Sequence, residues 1–133
     1  MKLYYEAPDV KEYHALRTAA GLSTKDDSAA ARALSHSLFS IVIRSNESEL
    51  MGMGRVIGDG GCTFQIVDII VNPAFRDVAL NELIIHEIKG YLNHNAPKDA
   101  DIIVMADAAN LGFYQKHDFK LVYPELYGMS LTL

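Results

Sequence analysis

Pro73 separates two segments with different hydrophobic periods, and that break constrains the fold more than any other feature of the chain. From Cys62 to Val71 the residues are rich in β-branched and apolar types and read as a strand. Beyond the proline, Leu80, Leu83, Ile84, Ile88, Tyr91 and Leu92 recur at steps of three and four, which predicts an amphipathic helix with one apolar stripe. Asn95-Ala96-Pro97 ends that helix, and Asp101 to Ala106 is a short apolar run bounded by polar residues, as a buried strand is. A strand reached through a helical crossover lies parallel to the strand before it. The chain is therefore expected to hold a parallel pair.

The junction also carries chemistry. A strand ending at Val71-Asn72-Pro73 and running into a helix from about Phe75 to Asn81 gathers unpaired N–H groups and the positive end of a helix dipole at one spot. That is a place to hold a phosphate, whose oxygens need donors at about 2.9 Å.

The remainder of the chain falls into short periodic segments. Lys2–Ala7 reads as an opening strand. Asp9 is a candidate N-cap for a helix through Val10–Arg17, closed by Gly21. Ser23–Ser28 is a polar loop and Ala29–Leu34 a second helix. Leu38–Arg44, Leu50–Ile57 and the strand from Cys62 form a meander, turned at Ser45–Glu49 and Gly58–Gly61. A short helix is predicted over 108–117, with final strands at Phe119–Val122 and Leu126–Leu131. The predicted order is β-α-α-β-β-β-α-β-α-β-β in a single domain, 1–133, of mixed α/β class. A chain of 133 residues, half of them apolar, has material for one core.

Composition narrows the partners. A formal charge of −5, with twelve Lys and Arg residues that form no run, argues against nucleic acid. There is no apolar run of about 18 residues to span a membrane and no basic-then-apolar leader, so a cytoplasmic protein is expected. A lone Cys62 and five scattered histidines predict neither an internal disulfide nor a metal site.

With these elements in place, the chain resembles the GNAT superfamily of acetyl-CoA-dependent N-acetyltransferases over essentially its whole length. One family signature is a strand ending V-x-P, an aromatic, then Q/R-x-x-G-x-G/A; here Val71, Pro73, Phe75 and Arg76 match, while Ala79 and Asn81 replace the glycines. A second, A-x-x-N-x-x-A-x-x-F-Y-x-K-x-G-F, is met by Asn110, Phe113, Tyr114, Lys116 and Phe119, with Asp118 for the glycine. The hairpin Met51–Gly61 is similar to the G-x-G/A-R-x-x-x-D-G hairpin of small bacterial members. The resemblance implies a mostly antiparallel mixed sheet, splayed between strands 4 and 5 and flanked by helices. It implies acetyl-CoA between those strands, with Ile69, Ile70 and Val71 along the pantetheine arm and Asn110 nearby. The pyrophosphate would sit on the amides of Arg76, Asp77, Val78, Ala79, Leu80 and Asn81. With the glycines absent, three outcomes stand open: a variant backbone path, a weaker grip, or no cofactor.

Acetyl transfer to an amine needs a neutral nitrogen, a polarised thioester carbonyl and a proton for the departing thiolate. The Ile69 N–H is the candidate donor to the carbonyl oxygen, and Tyr114 the candidate acid, since a phenol with pKa about 10 keeps its proton at neutral pH. Alternatively, Tyr114 is an aromatic packed on Phe113. Asp68, the only carboxylate on its strand, is either a base acting through water or a hydrogen-bonded structural acceptor. Cys62 is a conceivable nucleophile or a turn cysteine. Substrate contacts are expected from Leu22–Ser28 and from strand faces carrying Phe39, Arg55 and Gln65. Arg55 either anchors a substrate anion or pairs with Asp59 or Asp68. The expected reaction is direct attack by a primary amine of a small molecule, of amino acid or polyamine type. A peptide or protein amine, or a non-catalytic acyl-CoA-binding regulatory module, are the alternatives. A homodimer through the C-terminal strands is also open.

Overall fold

The computed structural model describes residues 1–76 and 79–133, so the cradle residues Asp77 and Val78 lie outside the described residues. The chain forms two compact units, Met1–Ile103 and Val104–Leu133.

In the first unit, five strands lie in sequence order across one sheet: β1 (Lys2–Tyr4), β2 (Phe39–Arg44), β3 (Leu50–Gly58), β4 (Thr63–Val71) and β5 (Asp101–Val104). The first four are antiparallel neighbours, and β5 runs parallel to β4, as the crossover predicts. The Asp101 amide donates to the Cys62 carbonyl at 2.8 Å where those two strands begin. Helices α1 (Val10–Ala19) and α2 (Asp27–Ser35) precede β2, and α3 (Leu80–Asn95) links β4 to β5.

The two sheet faces are packed differently. On one, Tyr13 and Leu16 of α1 and Ala30 and Leu34 of α2 join Val42, Leu50, Met53 and Ile70 in one buried cluster. On the other, α3 lies close enough that a Cβ on Gly54 would come 2.6 Å from Ile84 Cγ2 and 3.0 Å from Ile88 Cδ1. Gly54 is there to admit the helix. Gly54→Ala must push α3 outward or force Ile84 off its rotamer, and a loss of about 1–3 kcal/mol in chemical denaturation is expected.

Helix α1 starts with a complete capping box. Asp9 accepts from the Glu12 amide at 2.8 Å, and the Glu12 carboxylate accepts from the Asp9 amide at 3.0 Å. The same carboxylate takes a two-pronged hydrogen bond from Arg44 on β2, at 2.7 and 2.9 Å. The Arg44 hydrogen bonds, working against partial burial, hold the Glu12 carboxyl below its ordinary 4.5. A depressed carboxyl stabilises the fold above its unfolded value, and that contribution fades as pH falls through the folded one. Glu12→Gln should cost about 1 kcal/mol at neutral pH. The gap to wild type should narrow below pH 4.5 in denaturation profiles; a gap independent of pH would argue against this linkage.

Two expectations are corrected. Helix α3 begins at Leu80, not near Phe75: Pro73–Phe75 is a separate 3-10 turn, in which Asn72 Oδ1 accepts from the Ala74 amide at 3.0 Å. A proline just inside a turn suits a 3-10 and an α start equally, so the sequence pattern did not separate them. The final strands at Phe119–Val122 and Leu126–Leu131 do not form among the described residues. The Leu126 amide instead closes a turn onto the Val122 carbonyl at 3.0 Å, around Pro124, which has no N–H to offer a ladder.

In the second unit, Ala108–Asn110 is a 3-10 turn that leads directly into α4 (Leu111–Lys116). Helix α4 ends in a Schellman motif. The Asp118 amide donates to Gln115 O at 3.2 Å and the Phe119 amide to Tyr114 O at 3.1 Å, with Asp118 at φ 73°. This explains why the related motif carries glycine at that place: the left-handed conformation is needed, and Asp is one of the few other residues to adopt it.

Candidate active site

Strand β4 is not regular. Met53 pairs with Ile70 and Arg55 with Val67, so Gly54 alone faces two residues, Asp68 and Ile69. That is a β-bulge, and Asp68 enters it with φ 55°. A non-glycine residue in the left-handed region needs support, and Asp68 has it from three elements. Its carboxylate accepts from Tyr13 Oη at 2.7 Å, from Arg17 Nη1 at 3.2 Å and from Arg55 Nε at 2.9 Å, with Arg55 Nη2 in ion-pair contact at 2.8 Å. The side chains of Arg17 and Arg55 are 11% and 8% exposed. Each guanidinium is further fixed, Arg17 to Ser23 O at 2.7 Å and Arg55 to Ser37 Oγ at 2.9 Å and Ala33 O at 3.2 Å. Burial, and then the hydrogen bond to Asp68, raises the Tyr13 phenol above its ordinary value.

The consequences for the predicted site residues are direct. Of the two options for Asp68, the geometry is that of the structural acceptor, with its lone pairs taken by three side chains. Arg55 pairs with Asp68, one of its stated alternatives, and its fork is fully engaged. Asp59 does not reach Arg55; its Oδ1 instead accepts the amides of Gly61, Cys62 and Thr63 and holds the hairpin turn. Phe39 lies apart from these residues, stacked on Tyr91 of α3 at 4.7 Å and tilted against Tyr5 at 5.7 Å. It lines a surface recess of about 290 Å3 with Glu87 and His94. Gln65 is half-buried opposite Ile57, toward the far end of β4 from the junction. Cys62 is exposed. A second recess, of about 400 Å3, is lined by Val10, Lys11, His14 and Asp27 of α1 and α2.

At the other end of β4, the Asn72 amide donates to Met51 O at 2.8 Å, which ties the junction to β3. Arg76 is exposed, and both its amide and its Nε turn back to Pro73 O, at 3.4 and 3.2 Å. Ala79 caps α3 with no side-chain hydrogen bond, and Ala79 and Asn81 are exposed. Among the described residues no side chain caps the amides of the first turn of α3, which suits an anion-binding helix start. Leu80 is fully buried, so only its backbone is available to a ligand. Ile70 likewise turns its side chain into the core, while Ile69 and Val71 are half-buried.

In the second unit, Asp107 accepts from the Asn110 amide and from Asn110 Nδ2, both at 2.9 Å, which commits the Asn110 side chain to the turn. The Tyr114 ring meets Phe113 and Phe119 edge-on, at 5.1 and 5.6 Å. Burial, and secondarily the Asp107 charge, pushes the Tyr114 phenol above 10.0, so it holds its proton at neutral pH. Packing on Phe113 and a retained proton thus coexist.

Sequence reasoning missed Tyr13 and Arg17. They stand four apart on α1 and share its buried face, and a charged residue at a buried helical position was the available signal. Among the described residues no three His, Cys, Asp or Glu side chains are grouped to hold a metal ion, and no helix is long and apolar enough to cross a membrane.

Comparison with known proteins agrees with this architecture. Residues 8–132 match the model of the acetyltransferase (GNAT) domain. No curated protein matches the chain. Among solved structures, a Staphylococcus aureus protein described as a probable acetyltransferase is 36% identical, covering 99% of this chain and 98% of that one, with a TM-score of 0.91. A GNAT-family acetyltransferase of Streptococcus pneumoniae shares the fold at 20% identity, with 99% and 98% covered and a TM-score of 0.76. So does glucosamine-6-phosphate N-acetyltransferase of Arabidopsis thaliana, at 14% identity, 99% of each chain and a TM-score of 0.71. With the family model spanning nearly the whole chain and the bulged strand leading to an uncapped helix start, the chain belongs to the GNAT acetyltransferase family.

Proposed function

We propose that this protein transfers an acetyl group from acetyl-CoA to a primary amine of a small molecule. The observation that carries the reading is the bulge at Asp68–Ile69, on the strand that leads to the uncapped start of α3. A bulge takes backbone groups out of the ladder and re-aims them. Ile69 has no register partner on β3, and its N–H is the donor for charge that develops on the carbonyl oxygen in transfer.

The residues present fit the cosubstrate. Asn81 and the exposed first turn of α3 offer amides to the pyrophosphate, with Arg76 as the nearby cation, and β4 offers backbone groups at Ile69 and Val71 to the pantetheine amides. Bound acetyl-CoA supplies the thioester. Tyr114 holds the proton that the leaving thiolate needs. Asp68 keeps the bulge in shape, and the amine loses its proton to water.

Isothermal titration with acetyl-CoA, followed by thiol release against a panel of amino acids, polyamines and peptides, tests the reading. Saturable binding with thiol release from a small amine is expected. Binding with no release from any amine would favour an acyl-CoA-binding regulatory module, release only from peptides would move the acceptor to a polypeptide amine, and no binding would sink all three.

A further inference from the structure

Three aromatic rings from distant parts of the chain meet on the surface of the first unit. Tyr5 follows β1, Phe39 opens β2, and Tyr91 lies in the C-terminal half of α3. The planes of Phe39 and Tyr91 are 19° apart, and Tyr5 is tilted at 41° to Phe39. Tyr5 is 65% exposed, so the group is a platform open to water rather than a piece of the core. With Glu87 the rings line the recess of about 290 Å3, at the small end of ligand sites.

The polar groups around the rings leave one charge there. Tyr5 Oη donates to Glu87 Oε2 at 2.8 Å, across 82 residues of chain, while Glu87 Oε1 takes no hydrogen bond among the described residues. That bond raises the Tyr5 phenol above its ordinary 10.0, so the ring is uncharged at neutral pH and the charge is the carboxylate's. The neighbouring donors are committed to the helix backbone. Asn95 Nδ2 donates to Tyr91 O at 2.8 Å, and His94 Nδ1 donates to Gly90 O at 3.2 Å, since a carbonyl only accepts. Among the described residues no lysine or arginine is stacked on Tyr5, Phe39 or Tyr91. The recess thus combines a carboxylate with aromatic faces, which are themselves electron-rich.

We propose that this recess binds the quaternary ammonium group of a small organic cation, such as choline or tetramethylammonium, at a site separate from that of acetyl transfer. A primary ammonium or a guanidinium brings several N–H donors, and one free carboxylate oxygen cannot satisfy them all. A fully methylated nitrogen has no N–H to satisfy, and ring faces within about 6 Å attract its charge. The net charge of −5 favours the arrival of a cation. A quaternary nitrogen also has no proton to exchange for an acetyl group, so a cation held here is not an N-acetyl acceptor. The site is independent of the transfer reaction.

Amide NMR shifts of the full chain, titrated with tetramethylammonium chloride against sodium chloride of equal ionic strength, test the site. Saturable shifts around residues 5, 39 and 87–95 are expected, and choline should give the same pattern. Dimethylbutanol, the uncharged carbon isostere of choline, keeps the shape without the charge and should bind about tenfold more weakly. Glu87→Gln keeps an acceptor for the Tyr5 hydroxyl but removes the charge, and should weaken tetramethylammonium binding about tenfold. Tyr5→Leu, at an exposed position, should weaken it about threefold or more. The absence of saturable shifts at these residues would overturn the proposal. So would equal binding of choline and the isostere, or an affinity that neither substitution changes.

Discussion

Asp68→Ala is expected to lose about 3–5 kcal/mol of stability, measured by denaturant unfolding, because it strands two nearly buried guanidiniums without their counter-charge. Arg17 and Arg55 keep other partners, Ser23 O for one and Ser37 Oγ and Ala33 O for the other, but these are neutral. The Tyr13 hydroxyl also loses its acceptor. Two companion substitutions separate charge from backbone. Asp68→Gly removes the carboxylate yet accepts φ 55° without a Cβ, so it should be about 1 kcal/mol less damaging than alanine. Asp68→Asn keeps the shape and one acceptor oxygen and should fall between wild type and alanine. A loss under about 1 kcal/mol for alanine would mean that the cluster is not what holds the bulge. Turnover should fall together with stability, since the strand that the cluster shapes is the one carrying the Ile69 amide.

Tyr114→Phe should lower the rate of acetyl transfer on the order of a hundredfold while leaving acetyl-CoA affinity nearly unchanged. Phenylalanine keeps the ring that meets Phe113 and Phe119, so the corner built by the Schellman turn survives the change. Only the proton is removed. Burial and the Asp107 charge hold the wild-type phenol above 10.0, so a fall in rate due to its ionisation belongs above pH 10. An unchanged rate would withdraw Tyr114 from the acid role; a weaker affinity with unchanged turnover would make it a binding residue.

The crossover and the meander were readable because their segments differ in kind: short, largely apolar runs bounded by turn residues in β2, β3 and β4, and steps of three and four in α3. What failed was of another kind. The strand pattern of Leu126–Leu131 reports a preference for extended backbone, but a strand also needs an edge to pair with, and no local pattern contains that edge. Helix α3 starts five residues later than expected from Phe75, because aromatic and basic residues after a proline satisfy a 3-10 turn as readily as an α-helix. At the site, Arg55 with Asp68 was one of two pairings legible on adjacent strands. Arg17 was hidden by a second good reason for its presence, a cation in the last turn of α1 facing the helix dipole. The bulge was hidden because aspartate, not glycine, takes the left-handed conformation there.

The hydrogen bonds that define Asp68 differ widely in how much chain they close. Arg55 reaches it across 13 residues, within one hairpin, whereas Arg17 and Tyr13 reach it across 51 and 55. The hairpin alone can supply one donor group at the entropic cost of a short loop; the other two require α1 to dock on a sheet already assembled. The backbone kink that re-aims Ile69 is thereby tied to the most distant contacts in its neighbourhood. The shape of the bulge is thus a property of the whole first unit, acquired with the docking of its N-terminal helix rather than with the hairpin alone.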